Sequence, residues 1–375
     1  MSRAENEQPI RVLHVVTQMT RGGLETMLMN YYRHIDRSKV QFDFLEHRDY
    51  MADYDEEILS LGGIIHRLPR LNPLSPGYLH AADRFFANHP EYHIVHSHLD
   101  CMAGIPLKYA KKHGVPTRIA HAHNSNQDKN FKYPMKLLYK QSIPRYATEL
   151  FACGQEAGKW MFCGRSFTVL NNAIDAEKYI YSAGVRAEVR QELGIEQQTL
   201  VVGHVGRMSP QKNHAFLITV FHALLQKHAD SKLMLVGCGN LEADIRKQCE
   251  SLGIADRVIF TGVRNDVNRL LQAMDVFVMP SLYEGLSVVA VEAQAAGLPC
   301  VFSDSIPAEC VKVSGLVQFL PLEDGTERWA QEVLNRSNTV RLDRSSEIRK
   351  NDFDIRENAG WLQDFYLSHW KRVIW

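Results

Sequence analysis

No stretch of this 375-residue chain reaches 18 consecutive apolar residues, so nothing in it reads as a membrane span. Neither sign of charge is in excess. The 43 Lys and Arg balance 43 Asp and Glu, which removes the case for a nucleic-acid partner or a generally basic surface. Cysteines are few and scattered: the seven, at 101, 153, 163, 238, 249, 300 and 310, include no C-x-x-C pair and are odd in number. They argue against a disulfide framework and structural zinc and for a reducing cytoplasm. The N-terminal Met1-Ser-Arg-Ala-Glu-Asn-Glu-Gln8 is polar and too acidic for a secretory leader. There is no internal repeat and no low-complexity tract. The length suits two domains, each able to bury its own core.

What the chain has is short apolar runs alternating with helical patterns from end to end, the mark of parallel α/β domains. The first half predicts strands at Val12–Thr17, Phe42–Glu46, Ile94–Ser97, Ile119–Ala122 and Leu150–Cys153, with helices such as Leu24–His34 and Leu107–His113 between them. The pattern restarts at Leu200–Gly206. Strands at Leu233–Val236, Val258–Phe260, Val276–Met279 and Cys300–Phe302 follow, with helices at Ala215–His228, Leu241–Leu252, Val267–Met274 and Val288–Ala296. The polar, mixed-charge stretch Asn171–Gly194 reads as the linker. In the tail, Ile355, Ala359, Leu362, Phe365 and Tyr366 recur at helical spacing.

Candidate chemistry concentrates after the predicted strand Val276–Met279. Glu284 and Glu292 stand with seven residues between them, with Gly285 placed for a sharp turn, Leu286 next, and Ser287 a good N-cap for the following helix. A helix N-terminus at the carboxyl end of a parallel strand is a ready anion site. The two acids can then reach different hydroxyls of one sugar nucleotide while backbone amides face its phosphates. Alone, the pair also reads as a helix-capping acid and a solvated one. Earlier in the same half, Gly206-Arg207-Met-Ser-Pro-Gln-Lys212 puts two cations after a strand, where they can meet the charge that grows on a departing diphosphate. Gly22 and Gly23 follow the first strand and let backbone approach a ligand without a Cβ in the way.

In this order along nearly the whole chain, Gly22-Gly23-x-Glu25, His123 at a strand end, Gly206-Arg207-x4-Lys212 and Glu284-x7-Glu292 resemble the elements of the retaining glycosyltransferases of family 4. The resemblance implies the GT-B fold: two Rossmann-like, doubly wound parallel-sheet domains facing each other across a cleft. It places an acceptor-side domain at 1–175, a donor domain at 176–352 and a crossover helix at 353–375. It also implies a nucleoside-diphosphate sugar as donor, UDP-linked, a saccharide acceptor, and neither metal nor cofactor. Arg207 and Lys212 would stabilise the leaving diphosphate, Glu292 would bind the ribose and Glu284 the donor sugar. His123 would face that sugar, although His121 shares its face and His96 and His98 end the preceding strand similarly. Gly237 and Gly239 match the family's glycine turn near the nucleotide. Val263 and Arg264 match the loop at its base, although Arg264 can equally pair with Asp266.

Two further features are weighed. Asp352-Phe-Asp354 has the spacing by which another glycosyltransferase fold holds a divalent metal, but here it precedes the final helix, where Asp354 reads as its cap. Lys132, Lys136 and Lys140 recur every four residues among Phe131, Tyr133 and Tyr139, so they share one helix face. That face suits an anionic membrane carrying a lipid-linked acceptor, at the inner side of which a cytoplasmic enzyme would work; it also reads as a solvated basic face. The rival functions are a glycoside hydrolase, with the two acids as a catalytic pair, and a non-enzymatic sugar-binding protein.

Overall fold

The computed structural model describes residues 8–124 and 133–374, the last three by backbone alone. They fall into two compact units, Met1–Ala173 with Ile355–Trp375, and Ile174–Asp354.

The first unit is built on seven parallel strands: β1 (Ile10–Val15), β2 (Val40–Glu46), β3 (Ile65–Arg67), β4 (Ile94–Ser97), β5 (Thr117–Ala122), β6 (Glu149–Ala152) and β7 (Thr168–Val169). Their order in the sheet is β3-β2-β1-β4-β5-β6-β7. The strands read as nearly unbroken apolar runs because helices cover both faces of a parallel sheet. The helix Ile355–Ile374 packs on the helix Gly23–His34 and on β1, β2 and β4. Its Ile355, Ala359, Leu362 and Tyr366 are all buried, the one-sided stripe that helical spacing predicts.

The second unit has six parallel strands: β8 (Leu200–Val205), β9 (Ser231–Val236), β10 (Val258–Gly262), β11 (Val276–Met279), β12 (Cys300–Ser303) and β13 (Val317–Leu320). Their order is β10-β9-β8-β11-β12-β13. In both sheets the chain runs outward to one edge and then returns to the middle to build the other. The reversal lies between β1 and β4 in the first sheet and between β8 and β11 in the second. Loops at the carboxyl ends of such strands diverge and leave a crevice, where ligands of open α/β sheets bind.

Two expectations need correcting. Part of the predicted linker is a helix, Ala183–Glu192, with Ser182 Oγ accepting from the Val185 amide at 3.3 Å. It docks through a wholly buried cation. Arg190 pairs with Asp275 at 2.7 Å and donates to the carbonyls of Ala273, Glu196, Gln197 and Thr199. The short strands β3, β7 and β13 were not expected; most of their residues are only half-buried or exposed, so no apolar run marks them.

Candidate active site

In the second unit the loops after β8, β9 and β11 are fastened together before any side chain contributes chemistry. The Met208 amide donates to the Cys238 carbonyl at 3.0 Å, and the Gly206 amide to Val236 at 2.9 Å. A Cβ on Gly237 would lie 2.3 Å from the Gly206 carbonyl oxygen, and one on Gly239 2.3 Å from that of Met208. Gly237 also has φ +125°, a conformation L side chains rarely adopt. The glycine turn therefore lets two loops lie backbone against backbone. A second clasp joins the loops after β8 and β11. The Leu282 amide donates to the Gln211 carbonyl at 2.8 Å, and Gln211 Nε2 returns a bond to the Tyr283 carbonyl at 3.0 Å.

This fastening sets Lys212 against Glu284, with Nζ 2.7 Å from Oε1 and both side chains largely buried. The Lys212 stem passes over Gly206, where a Cβ would lie 3.2 Å from Cε. Arg207 is exposed, and among the described residues it makes no ion pair. Of the two cations, one is thus already balanced and the other offers its charge outward.

Glu292 lies in the helix Val288–Ala295, buried, and accepts a 2.7 Å hydrogen bond from the Tyr179 hydroxyl. Burial pushes its carboxyl up to about 7, against the pull of that hydrogen bond. Ser287 occupies the N-cap, but its hydroxyl does not cap the helix: it lies 3.8 Å from the Met279 sulfur. Leu286 is buried beneath, and the Gly285 carbonyl receives the Cys310 thiol at 3.6 Å. Val263 is exposed, whereas Arg264 forms a two-pronged pair with Asp266, both contacts at 2.7 Å. The structural alternative weighed for Arg264 is the one observed.

In the first unit Gly22 caps the helix Gly23–His34 with extended backbone, φ −124° and ψ 173°. A Cβ on Gly23 would meet nothing within 4 Å. At Gly23, then, packing does not demand glycine, and the space beside its Cα is open. His123 follows β5. Its amide donates to Asp100 Oδ1 at 2.9 Å, and the Asn124 side chain donates to Asp100 Oδ2 at 2.7 Å. Burial holds the His123 ring near 3, neutral at physiological pH. Two groups of three histidines, His14, His96 and His98, and His98, His121 and His123, bring ligand atoms within 4.8 Å of one another, near enough to hold a metal. The aspartate pair is differently employed. Asp354 is buried and faces Arg349 at 3.1 Å.

Of the proposed membrane face, Lys132 lies outside the described residues. Lys136 is half-buried on the helix Tyr133–Tyr146, and Lys140 donates to the Trp160 carbonyl at 2.6 Å with its ammonium 4.3 Å from the Trp160 ring centre. Sequence reasoning missed Gln211, Tyr179 and Asp100, each of which holds a proposed site residue from another element. No spacing signals such contacts.

Comparison with known proteins follows this division of the chain. Residues 21–178 match the model of Glycosyltransferase Family 4, and residues 199–337 that of Glycosyl transferases group 1. The putative glycosyltransferase EpsF of Bacillus subtilis is 37% identical over 376 residues, 96% of this chain and 97% of that one. The UDP-Gal:alpha-D-GlcNAc-diphosphoundecaprenol alpha-1,3-galactosyltransferase of Escherichia coli is 28% identical over 59% of this chain and 60% of its own. Among solved structures, Anabaena HepE in complex with UDP and glucose superposes with a TM-score of 0.79 over 96% of this chain and 100% of that one, at 19% identity. The fold is GT-B, and the chain belongs to the family 4 glycosyltransferases.

Proposed function

We propose that this chain is a retaining, metal-independent glycosyltransferase that moves a hexosyl or N-acetylhexosaminyl unit from a UDP-sugar to a saccharide acceptor during assembly of a surface polysaccharide. The observation that carries the reading is the charge arrangement at the carboxyl ends of β8 and β11. There Arg207 is exposed and makes no ion pair among the described residues, and Lys212 is held 2.7 Å from Glu284. In the transfer, the bond from the anomeric carbon to the diphosphate oxygen breaks and its electron pair stays with the diphosphate. Arg207 and Lys212 stabilise that growing charge. The acceptor hydroxyl attacks the face the leaving group vacates, and its proton passes to the departing phosphate oxygen. Glu292, steadied by Tyr179, receives the ribose hydroxyls; Glu284 receives the donor sugar. In the first unit, the family resemblance assigns Gly22 and Gly23 to the donor phosphates and His123 to the donor sugar.

A hydrolase would use the two acids as its catalytic pair, but a neutral leaving sugar gives Arg207 and Lys212 nothing to stabilise. The choice of UDP draws on HepE, solved with UDP and with UDP-glucose, and on the Escherichia coli relative named for a UDP-Gal donor. The saccharide acceptor, lipid-linked and presented at the inner face of a membrane, draws on that relative and on the capsular polysaccharide glycosyltransferase CapH of Staphylococcus aureus, 23% identical over 96% of this chain. Thermal shift against UDP, ADP, GDP and their glucose conjugates, followed by NMR of the product anomer, tests the proposal. UDP and its sugars should stabilise most and the product should keep the donor's configuration. A preference for another base removes UDP, and an inverted product removes retention.

A further inference from the structure

Five histidines crowd the carboxyl ends of β1, β4 and β5. His14 stands opposite His96 in the β1–β4 register, and His96 and His98, like His121 and His123, alternate by two onto one face. Their rings form two rows. In one, His14 Nδ1 is 3.0 Å from His98 Nε2, and His98 Nδ1 is 3.0 Å from His123 Nε2. In the other, the Tyr366 hydroxyl is 2.7 Å from His96 Nδ1, and His96 Nε2 is 3.2 Å from His121 Nδ1. These are hydrogen-bond lengths. His14 Nε2 is buried with no partner among the described residues.

The first row leads from that buried nitrogen to His123, which is only half-buried. Burial keeps His14, His98 and His123 neutral, and a neutral imidazole carries one N–H. Three rings hold three hydrogens, and the two contacts between them take one each. The third must sit at one end of the row. Placed on His14 Nε2, it is a buried donor with no acceptor. Placed on His123 Nδ1, it leaves a bare ring nitrogen at His14 and puts the N–H where water or a ligand can accept it. Orphaned buried N–H groups are rarer in folded proteins than under-used acceptors. The hydrogens of the row therefore all point toward His123.

We infer that His98 and His14 are positioning residues for His123: they fix its hydrogen on Nδ1, so that the ring offers a donor rather than a lone pair to an oxygen of the donor sugar. What His123 meets rests on the glycosyltransferase reading; its tautomer does not. Sequence spacing gives no hint of this, because His14, His98 and His123 come from three separate strands.

The test is a long-range ¹H–¹⁵N correlation on the full chain labelled with ¹⁵N-histidine, with the His123 signals identified by their loss in His123→Gln. In the wild type, His123 should appear as one neutral tautomer with its hydrogen on Nδ1. In His98→Leu that signal should move toward the average of an unconstrained ring. His98→Gln should restore it, because a carboxamide can accept from His14 and donate to His123. With a verified sugar nucleotide, kcat should fall roughly tenfold in His98→Leu, the scale of one hydrogen bond, and recover in His98→Gln. A wild-type His123 hydrogen on Nε2 overturns the inference without any variant. So does a His98→Leu spectrum in which His123 is unmoved. If the tautomer is as stated and kcat is unchanged, the row stands and the placement of His123 against the donor sugar falls.

Discussion

The two strand-order reversals of this protein are furnished differently. At β8 and β11 the loops carry ions, Lys212 against Glu284 at 2.7 Å with Arg207 exposed, above one buried neutral ring, His204, whose Nδ1 meets the Val278 carbonyl at 2.8 Å. At β1 and β4 the polar groups are buried neutral rings packed on one another, His14, His96 and His98, each held well below the usual histidine range by burial. The charged site pairs two of its ions in a largely buried contact and leaves one cation exposed, whereas a neutral network can be buried throughout and act through direction. The first gains from local loops of fixed length; the second can draw one residue from each of several strands.

That contrast predicts where damage will be greatest. Arg207→Ala and Lys212→Ala should each lower kcat by roughly 10²–10³, the cost of one preorganised charge at a growing anion. The two should differ in stability. Arg207 is exposed, so its loss should leave Tm unchanged. Lys212 is largely buried against Glu284, and removing it should cost about 2 kcal/mol. Near wild-type kcat in both, with a verified sugar nucleotide, breaks the leaving-group role. Equal stability losses break the distinction between a paired and an unpaired cation. Activity should also survive EDTA; loss that Mn²⁺ or Mg²⁺ restores would return the divalent-metal reading.

The same contrast explains what was legible beforehand. The alternation of strand and helix follows from apolar periodicity, and the expected strands at Ile94–Ser97 and Val276–Met279 match β4 and β11. The charged loops were visible because Gly206–Lys212 and Glu284–Glu292 are each one short segment. What stayed hidden was assembled by distant residues. The helix Ala183–Glu192 shows little apolar stripe because it anchors through Arg190 and Asp275. For Arg264 the sequence offered both a ligand and Asp266, and only the coordinates decide for Asp266. The histidine row needs the β1-β4-β5 order before its members can be seen as neighbours.

A smaller effect separates the two acids. Glu292→Gln should weaken binding of the free nucleoside diphosphate about tenfold, the scale of one charge-assisted hydrogen bond. Glu284→Gln should spare that binding and lower kcat. Equal effects on nucleotide affinity would collapse the assignment of ribose to one and sugar to the other. Glu292 also carries a pH signature. Its carboxyl is raised from 4.5 to about 7 in the folded chain, so folding favours its protonated form. The stability it contributes is complete below about pH 4.5 and is lost as pH rises through 7, about 3 kcal/mol in all. Glu292→Gln should flatten that fall. Nucleotide binding should run the other way, tightening through pH 7, because the ionised carboxylate is the better acceptor of ribose hydroxyls. Parallel pH profiles for Glu292→Gln and the wild type would remove the link.

The smallest expected effect is at the membrane. Each lysine free to meet an anionic surface is worth about 1 kcal/mol, and a helix with three of them would bind measurably at low salt. Here Lys140 is already committed: it donates to the Trp160 carbonyl and lies over the Trp160 ring, with one elementary charge spent inside the unit. Lys136 is half-buried. The helix Tyr133–Tyr146 should therefore hold anionic vesicles only weakly, and only at low ionic strength, where screening extends over tens of ångströms. Co-sedimentation at low and high salt, with neutral vesicles as the control, measures this. Lys136→Glu should abolish what binding there is, whereas Lys140→Ala should cost fold stability, through the lost Trp160 contacts, more than it costs vesicle binding. Strong, salt-resistant binding would show that apolar insertion holds the chain to the bilayer and would shift attention to exposed Leu138 on the same helix. No binding even at low salt would leave a fully soluble acceptor as the substrate to seek.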